Sequence, residues 1–134
     1  MVGDDGHLRA FGRHVTEKKL IFMKFNLPDV DESNVSIRLN DAIGHWEEPN
    51  FIYEKSVSQS GKVYSGKLHY VFGTESTDRH INVYDTQSHE KVEVIELNND
   101  VREEPEDLEI LPDGGIILAL NGGYGYYIIS NGIT

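Results

Sequence analysis

Glu-Glu-Pro occurs twice in this sequence, as Glu47-Glu48-Pro49 and as Glu103-Glu104-Pro105. If Glu48 and Glu104 point at one place, their carboxylates can hold a divalent cation such as calcium or work as an acid and base pair. The competing and favoured reading is structural: the proline ends a strand, and the Glu side chains accept hydrogen bonds from turn amides. Other polar and aromatic residues stand near the two motifs. Trp46, the only tryptophan, directly precedes the first motif and can either stack on a sugar ring or pack between sheets, with packing favoured. Glu106 follows the second motif, and Asn121 lies further along. Trp46, Glu48, Glu104, Glu106 and Asn121 form the candidate ligand-binding set. No residue stands out as catalytic, and no metal site can be assigned.

Other constellations are weaker. The acidic run from Asp29 through Asp31 and Glu32 to Asn34 alternates oxygen ligands, but it lacks the central glycine and closing glutamate of an EF-hand. A solvated loop is the better reading. Six histidines are scattered without zinc-ligand spacing, and His69 and His80 fall on neighbouring strands where packing explains them. Tyr124 and Tyr126 alternate onto one face and Tyr127 onto the other, an aromatic platform or, preferably, core. The Gly114-Gly115 and Gly122-Gly123 pairs precede no helix, which excludes a phosphate cradle.

Charge and composition exclude several classes. The formal charge is −11, from 23 acidic and 12 basic residues. Such a surface repels phosphate backbones and anionic lipid, so no nucleic-acid partner is expected. There is no cysteine, hence no disulfide, no thiolate metal site and no cysteine nucleophile. No apolar run is long enough to span a membrane. The N-terminal stretch lacks a basic start followed by an apolar core, so no signal peptide is expected in this chain. If the chain is a piece of an exported protein, an extracytoplasmic location follows; the compartment is otherwise open.

The elements that must position these residues read as strands almost throughout. Segments 7–14, 18–27, 35–39, 51–54, 67–73, 80–85, 91–97, 108–111, 116–120 and 124–130 are β-prone or alternate with a period of two. Turn chemistry lies between them, at Ser60-Gly61, Ser65-Gly66 and Pro112-Asp113-Gly114-Gly115. At most one helical turn is expected, around 41–47. The order of elements also repeats. A short run ending in Leu39 or Leu97 is followed by Asn, Asp and then Glu-Glu-Pro, and the second motif follows the first after roughly 56 residues. A strand-built repeat of that length points to propeller blades. The expected fold is all-β: one domain over 1–134, made of antiparallel four-stranded blades as a partial β-propeller. The outer strands of one blade occupy 1–46, a full blade 47–97 and the inner strands of another 98–134, about two and a half blades. Both Glu-Glu-Pro motifs would then enter an innermost strand, on the face over the central channel. Open blade faces make self-association possible.

Two stretches carry a family resemblance. Ile81-Asn82-Val83-Tyr84-Asp85-Thr86, followed by Val92–Leu97, resembles the I-x-V-x-D-T … V-x-x-I-x-L repeat of YVTN-type propellers. Glu104-Pro105-Glu106-Asp107-Leu108-Glu109-Ile110, followed by Pro112-Asp113-Gly114, is similar to a stretch of six-bladed TolB-like propellers, which include bacterial surface lipoproteins. The resemblance covers residues 47–130 and implies fold more than function, because propellers host binding proteins and hydrolases alike. It implies a non-catalytic binding or scaffold module for a protein or carbohydrate ligand, with no cofactor. The alternative is a metal-assisted hydrolase of the calcium-dependent lactonase type, in which Glu104 and Asn121 would supply part of the metal site without an identifiable Asp partner. A truncated fragment without independent function is the third reading, since the repeats are few and the export signal is missing.

Overall fold

The computed structural model describes residues 1–29, 31, 33–48, 57–123 and 125–130. Among the described residues, ten strands follow one another: β1 (His7–His14), β2 (Lys19–Asn26), β3 (Gly44–Glu47), β4 (Ser58–Tyr64), β5 (Lys67–Phe72), β6 (His80–Asp85), β7 (Lys91–Glu96), β8 (Glu104–Ile110), β9 (Ile116–Asn121) and β10 (Tyr126–Ile129). They form three antiparallel sheets, β1-β2-β3, β4-β5-β6-β7 and β8-β9-β10, each a simple meander in chain order. The protein is therefore all-β among its described residues, with a single turn of 3-10 helix at Leu39–Asp41.

Turn chemistry fixes the meander of the middle sheet. Tyr64 and Lys67 are cross-strand partners around Ser65-Gly66, whose φ angles of 50° and 75° make the two-residue turn that matches strand twist. The carbonyl of Gly66 then accepts from both the backbone N–H and the hydroxyl of Thr86. At the next hairpin, one carboxylate oxygen of Asp85 accepts the backbone N–H groups of Gln87 and Ser88. These bonds hold the Asp85 carboxyl below the usual range, and they give Asp85 a structural role at this turn.

The middle sheet is apolar on both faces, and alternation sorts its residues. Leu68, Tyr70, Phe72 and Tyr84 face the first sheet, where Leu20 and Phe22 meet them. Val71, Ile81 and Val83 face the third sheet, where Leu108, Ile110, Ile116 and Leu118 meet them. Leu97 and Val101 extend this second core beyond β7. The chain thus has two seams: a first between sheets one and two, and a second between sheets two and three. Residues 1–3 add a rudimentary strand to the first sheet, with a bridge from Val2 to Leu8 and backbone bonds between Met1 and Arg9 in both directions.

Several expectations change on the page. The Ser60-Gly61 step lies inside β4 rather than in a turn. Gly61 is needed there for packing: a Cβ would stand 2.7 Å from the Tyr70 ring and 2.9 Å from the Met1 methyl. Residues 35–38 form no strand despite their alternation, because no strand among the described residues pairs with them. The helical turn falls at Leu39–Asp41, ahead of its expected place, and β3 takes up Gly44–Glu47 instead. The expected strand at 51–54 lies outside the described residues, and the described strands of the middle sheet run from Ser58 to Glu96. Pro105 sits within β8, at a register shift between Pro105 and Asp107, where a residue without an N–H costs the ladder nothing.

Candidate functional site

The five candidate residues fall into two groups. Glu48 and Trp46 belong to the first seam. The Glu48 backbone N–H donates to Leu20, which fixes the end of β3 against β2. Its side chain is only 3% exposed. Tyr84 donates its hydroxyl proton to one Glu48 oxygen in a short hydrogen bond, and Asn82 Nδ2 donates to the same hydroxyl oxygen at 3.0 Å. Lys91 Nζ lies 3.3 Å from the other Glu48 oxygen. Burial, reinforced by the adjacent carboxylate, pushes the Tyr84 phenol far above its ordinary value, so it stays a donor. Glu48 is therefore engaged in joining β3 to β6 and β7.

Trp46, half-buried, lies at the same seam. Its ring stacks on Phe22 at a centroid distance of 4.9 Å and on His89 at 4.2 Å, with the His89 plane only 8° away. A ring stacked on two others contributes packing at this seam. Burial, with help from the Arg9 and Lys24 charges, lowers the His89 pKa and keeps the stacked imidazole neutral.

Glu104, Glu106 and Asn121 lie together in the third sheet. Glu104 opens β8, and its cross-strand partner is Asn121 at the end of β9. One Glu104 oxygen accepts from Gln59 Nε2 at 2.8 Å, and the same amide donates to the carbonyl of Gly73 at 2.8 Å. Asn121 and Glu106 are exposed on either side of this anchored carboxylate. Glu48 and Glu104 thus engage different strands of the middle sheet, β6 and β7 for one and β4 for the other.

Sequence reasoning passed over the residues that hold Glu104 in place. Strand β4 runs alongside β8, and polar side chains join the two along their length. Besides Gln59 to Glu104, Ser60 donates to Asp107 at 2.5 Å, Lys62 meets Glu109 at 3.2 Å, and the Tyr64 hydroxyl donates to the Pro112 carbonyl at 3.0 Å. The signal was the alternation of Ser60, Lys62 and Tyr64 against Gly61 and Val63, which a turn reading of Ser60-Gly61 conceals, with Gln59 joining the first set at a register shift between Ser58 and Ser60.

The remaining candidates separate. His69 and His80 lie on opposite faces of the middle sheet: His69 is the partner of Val83 facing the third sheet, while His80 stacks on Phe72 toward the first. Burial pushes the His69 pKa down, with Glu93 opposing. Among the described residues, no three His, Asp or Glu side chains gather as metal ligands. Asp29, Asp31 and Asn34 of the acidic run are exposed, and Glu32 lies outside the described residues. Tyr126 is exposed and Tyr127 packs on the second core; Tyr124 lies outside the described residues. No described helix is long and apolar enough to cross a membrane. No protein-family model matches the sequence, and no curated protein is similar to it.

Proposed function

We propose that the three sheets are consecutive blades of a β-propeller of the YVTN and TolB-like kind, and that the chain is a non-catalytic binding or scaffold module. Its ligand is a protein or glycan, taken at the loops where the chain enters its inner strands. The observation that carries this reading is the corner at the start of β8, where an anchored Glu104 stands opposite Asn121 and next to exposed Glu106. A carboxylate held by a second strand is preorganised to accept from sugar hydroxyls or from ammonium and guanidinium groups. The net charge of −11 adds attraction for a cationic partner. The meander order of each sheet and the run of β4 alongside β8 support the blade reading, since the first strand of a blade lies nearest its neighbours' first strands.

The register pairing of Glu104 with Asn121 also favours a second reading, a calcium-assisted hydrolase or lactonase. One experiment separates the two. Amide correlation spectra of the labelled protein are recorded during titration with oligosaccharides, with Lys- and Arg-rich peptides, and with calcium. Binding as proposed shifts the amides of residues 104–106 and 121–122 with an organic ligand. Shifts there with calcium alone, together with a rise in melting temperature, select the second reading. Spectra that stay unmoved, or move only elsewhere, sink both.

A further inference from the structure

The second seam holds a cavity of about 250 Å³ between the middle and third sheets. Its walls include Ile95, Ile116 and Ile129, together with His69 and Glu93. Glu93 and Ser130, another lining residue, are exposed, so the cavity opens to solvent on their side. Register explains why the two titratable side chains meet there. His69 pairs with Val83, and Val83 pairs with Glu93, so the three form one cross-strand row on the face turned to the third sheet. Strands β5 and β7 stand two spacings apart, about 10 Å, and the short Val83 between them leaves room that the longer side chains flank. Neither polar group is satisfied within the seam. His69 Nδ1 is buried without a hydrogen-bond partner. Glu93 acts on the imidazole through its charge and takes part in no hydrogen bond or ion pair among the described residues. Burial lowers the His69 pKa, so the imidazole is neutral and carries one acceptor nitrogen. A buried polar atom without a partner costs stability, and a ligand that brings donors relieves that cost.

We propose that this cavity is a binding site for a small primary amine with an apolar body. The ammonium group donates to the Glu93 carboxylate and to the His69 imidazole, and the body lies against Ile95, Ile116 and Ile129. Charge selects the head group. The charged wall is a carboxylate, and a net charge of −11 attracts cations and repels anions. Size selects the body. An apolar cavity of about 150 Å³ holds benzene, so the larger space here admits one ring and a short arm to the ammonium. The site is distinct from the β8 corner. Ile116 pairs with Ile110 at one end of the β8–β9 hairpin, whereas Asn121 pairs with Glu104 at the other, about 17 Å along the strand.

The probe is phenethylamine, with phenethyl alcohol and phenylpropionate as controls of similar shape and different charge. Amide correlation spectra of the labelled protein are recorded during each titration. The amine shifts the amides of residues 69, 93–95, 114–116 and 129–130 and leaves 104–106 and 121–122 in place. The alcohol binds there about tenfold more weakly, and the anion produces no shift at the cavity. Glu93→Gln changes an exposed side chain, so its spectrum stays native away from the cavity while its affinity for the amine falls about tenfold. The inference is overturned if millimolar amine leaves the cavity amides unmoved or moves only others. It is equally overturned if the anion binds there as tightly as the amine, or if Glu93→Gln binds the amine unchanged. The three probes act on the unaltered protein, so the choice between charges is decided even where the variant misfolds. Shifts at the cavity with none at the β8 corner under any ligand fail the reading of that corner alone, and the converse fails this inference alone.

Discussion

The two seams solve one packing problem with different chemistry. The first is aromatic: Phe11 and Phe22 meet Tyr70 edge-on at 4.7 and 5.1 Å, and Trp46 covers Phe22. The second is aliphatic, built from Val71, Ile81, Val83, Leu108, Ile110, Ile116 and Leu118. Their polar groups differ more. The first seam buries a carboxylate, Glu48, which accepts from the Tyr84 hydroxyl, itself held by the Asn82 amide. The second keeps its charges at the edge, where Lys62 and Glu109 are 35% and 59% exposed. Apolar area sets how strongly two sheets adhere, whereas the depth of the polar groups sets how much one lost partner matters.

Three substitutions would break or sharpen that contrast. Phe22→Ala removes the ring that touches Tyr70, Tyr84 and Trp46 and should cost about 3–5 kcal/mol. Urea unfolding measures it, and a loss near 1 kcal/mol would mean that the first seam collapses around the gap. Tyr84→Phe keeps the ring and removes one donor from buried Glu48, an expected loss of about 1–3 kcal/mol in the same assay. Equal stability of the variant would show that the carboxylate holds without the Tyr84 hydroxyl, with Lys91 still beside it. Lys62→Ala should change stability by no more than about 1 kcal/mol, and the difference should shrink in high salt, because its ion pair is exposed. A larger effect that survives salt would move the second seam's edge into the same category as Glu48.

The sequence made the meander readable because alternation, Ser65-Gly66 and Pro112-Asp113-Gly114 are local signals, and most expected strands stand where alternation put them. It failed where tertiary contact decides. Gly61 looks like a turn residue until the Tyr70 ring and the Met1 methyl fill the space its side chain would need. Val35, Ile37 and Leu39 alternate as a strand would, yet no strand among the described residues pairs with them. The candidate site divided for the same reason. Glu48 and Glu104 look equivalent in a Glu-Glu-Pro motif, but one is followed inward by Tyr84 and the other is met by Gln59, and neither partner is near in the chain. Glu104 and Asn121 could be paired from sequence because a single hairpin, β8 to β9, joins them.

The stack of Trp46 on Phe22 and His89 has an optical consequence. Because the chain holds one tryptophan, all indole emission arises at the first seam. Its colour reports how closely the first two sheets hold together, while separation of the third sheet leaves it unchanged. Paired with far-ultraviolet dichroism, which follows every strand, a single cuvette can therefore tell which seam opens first.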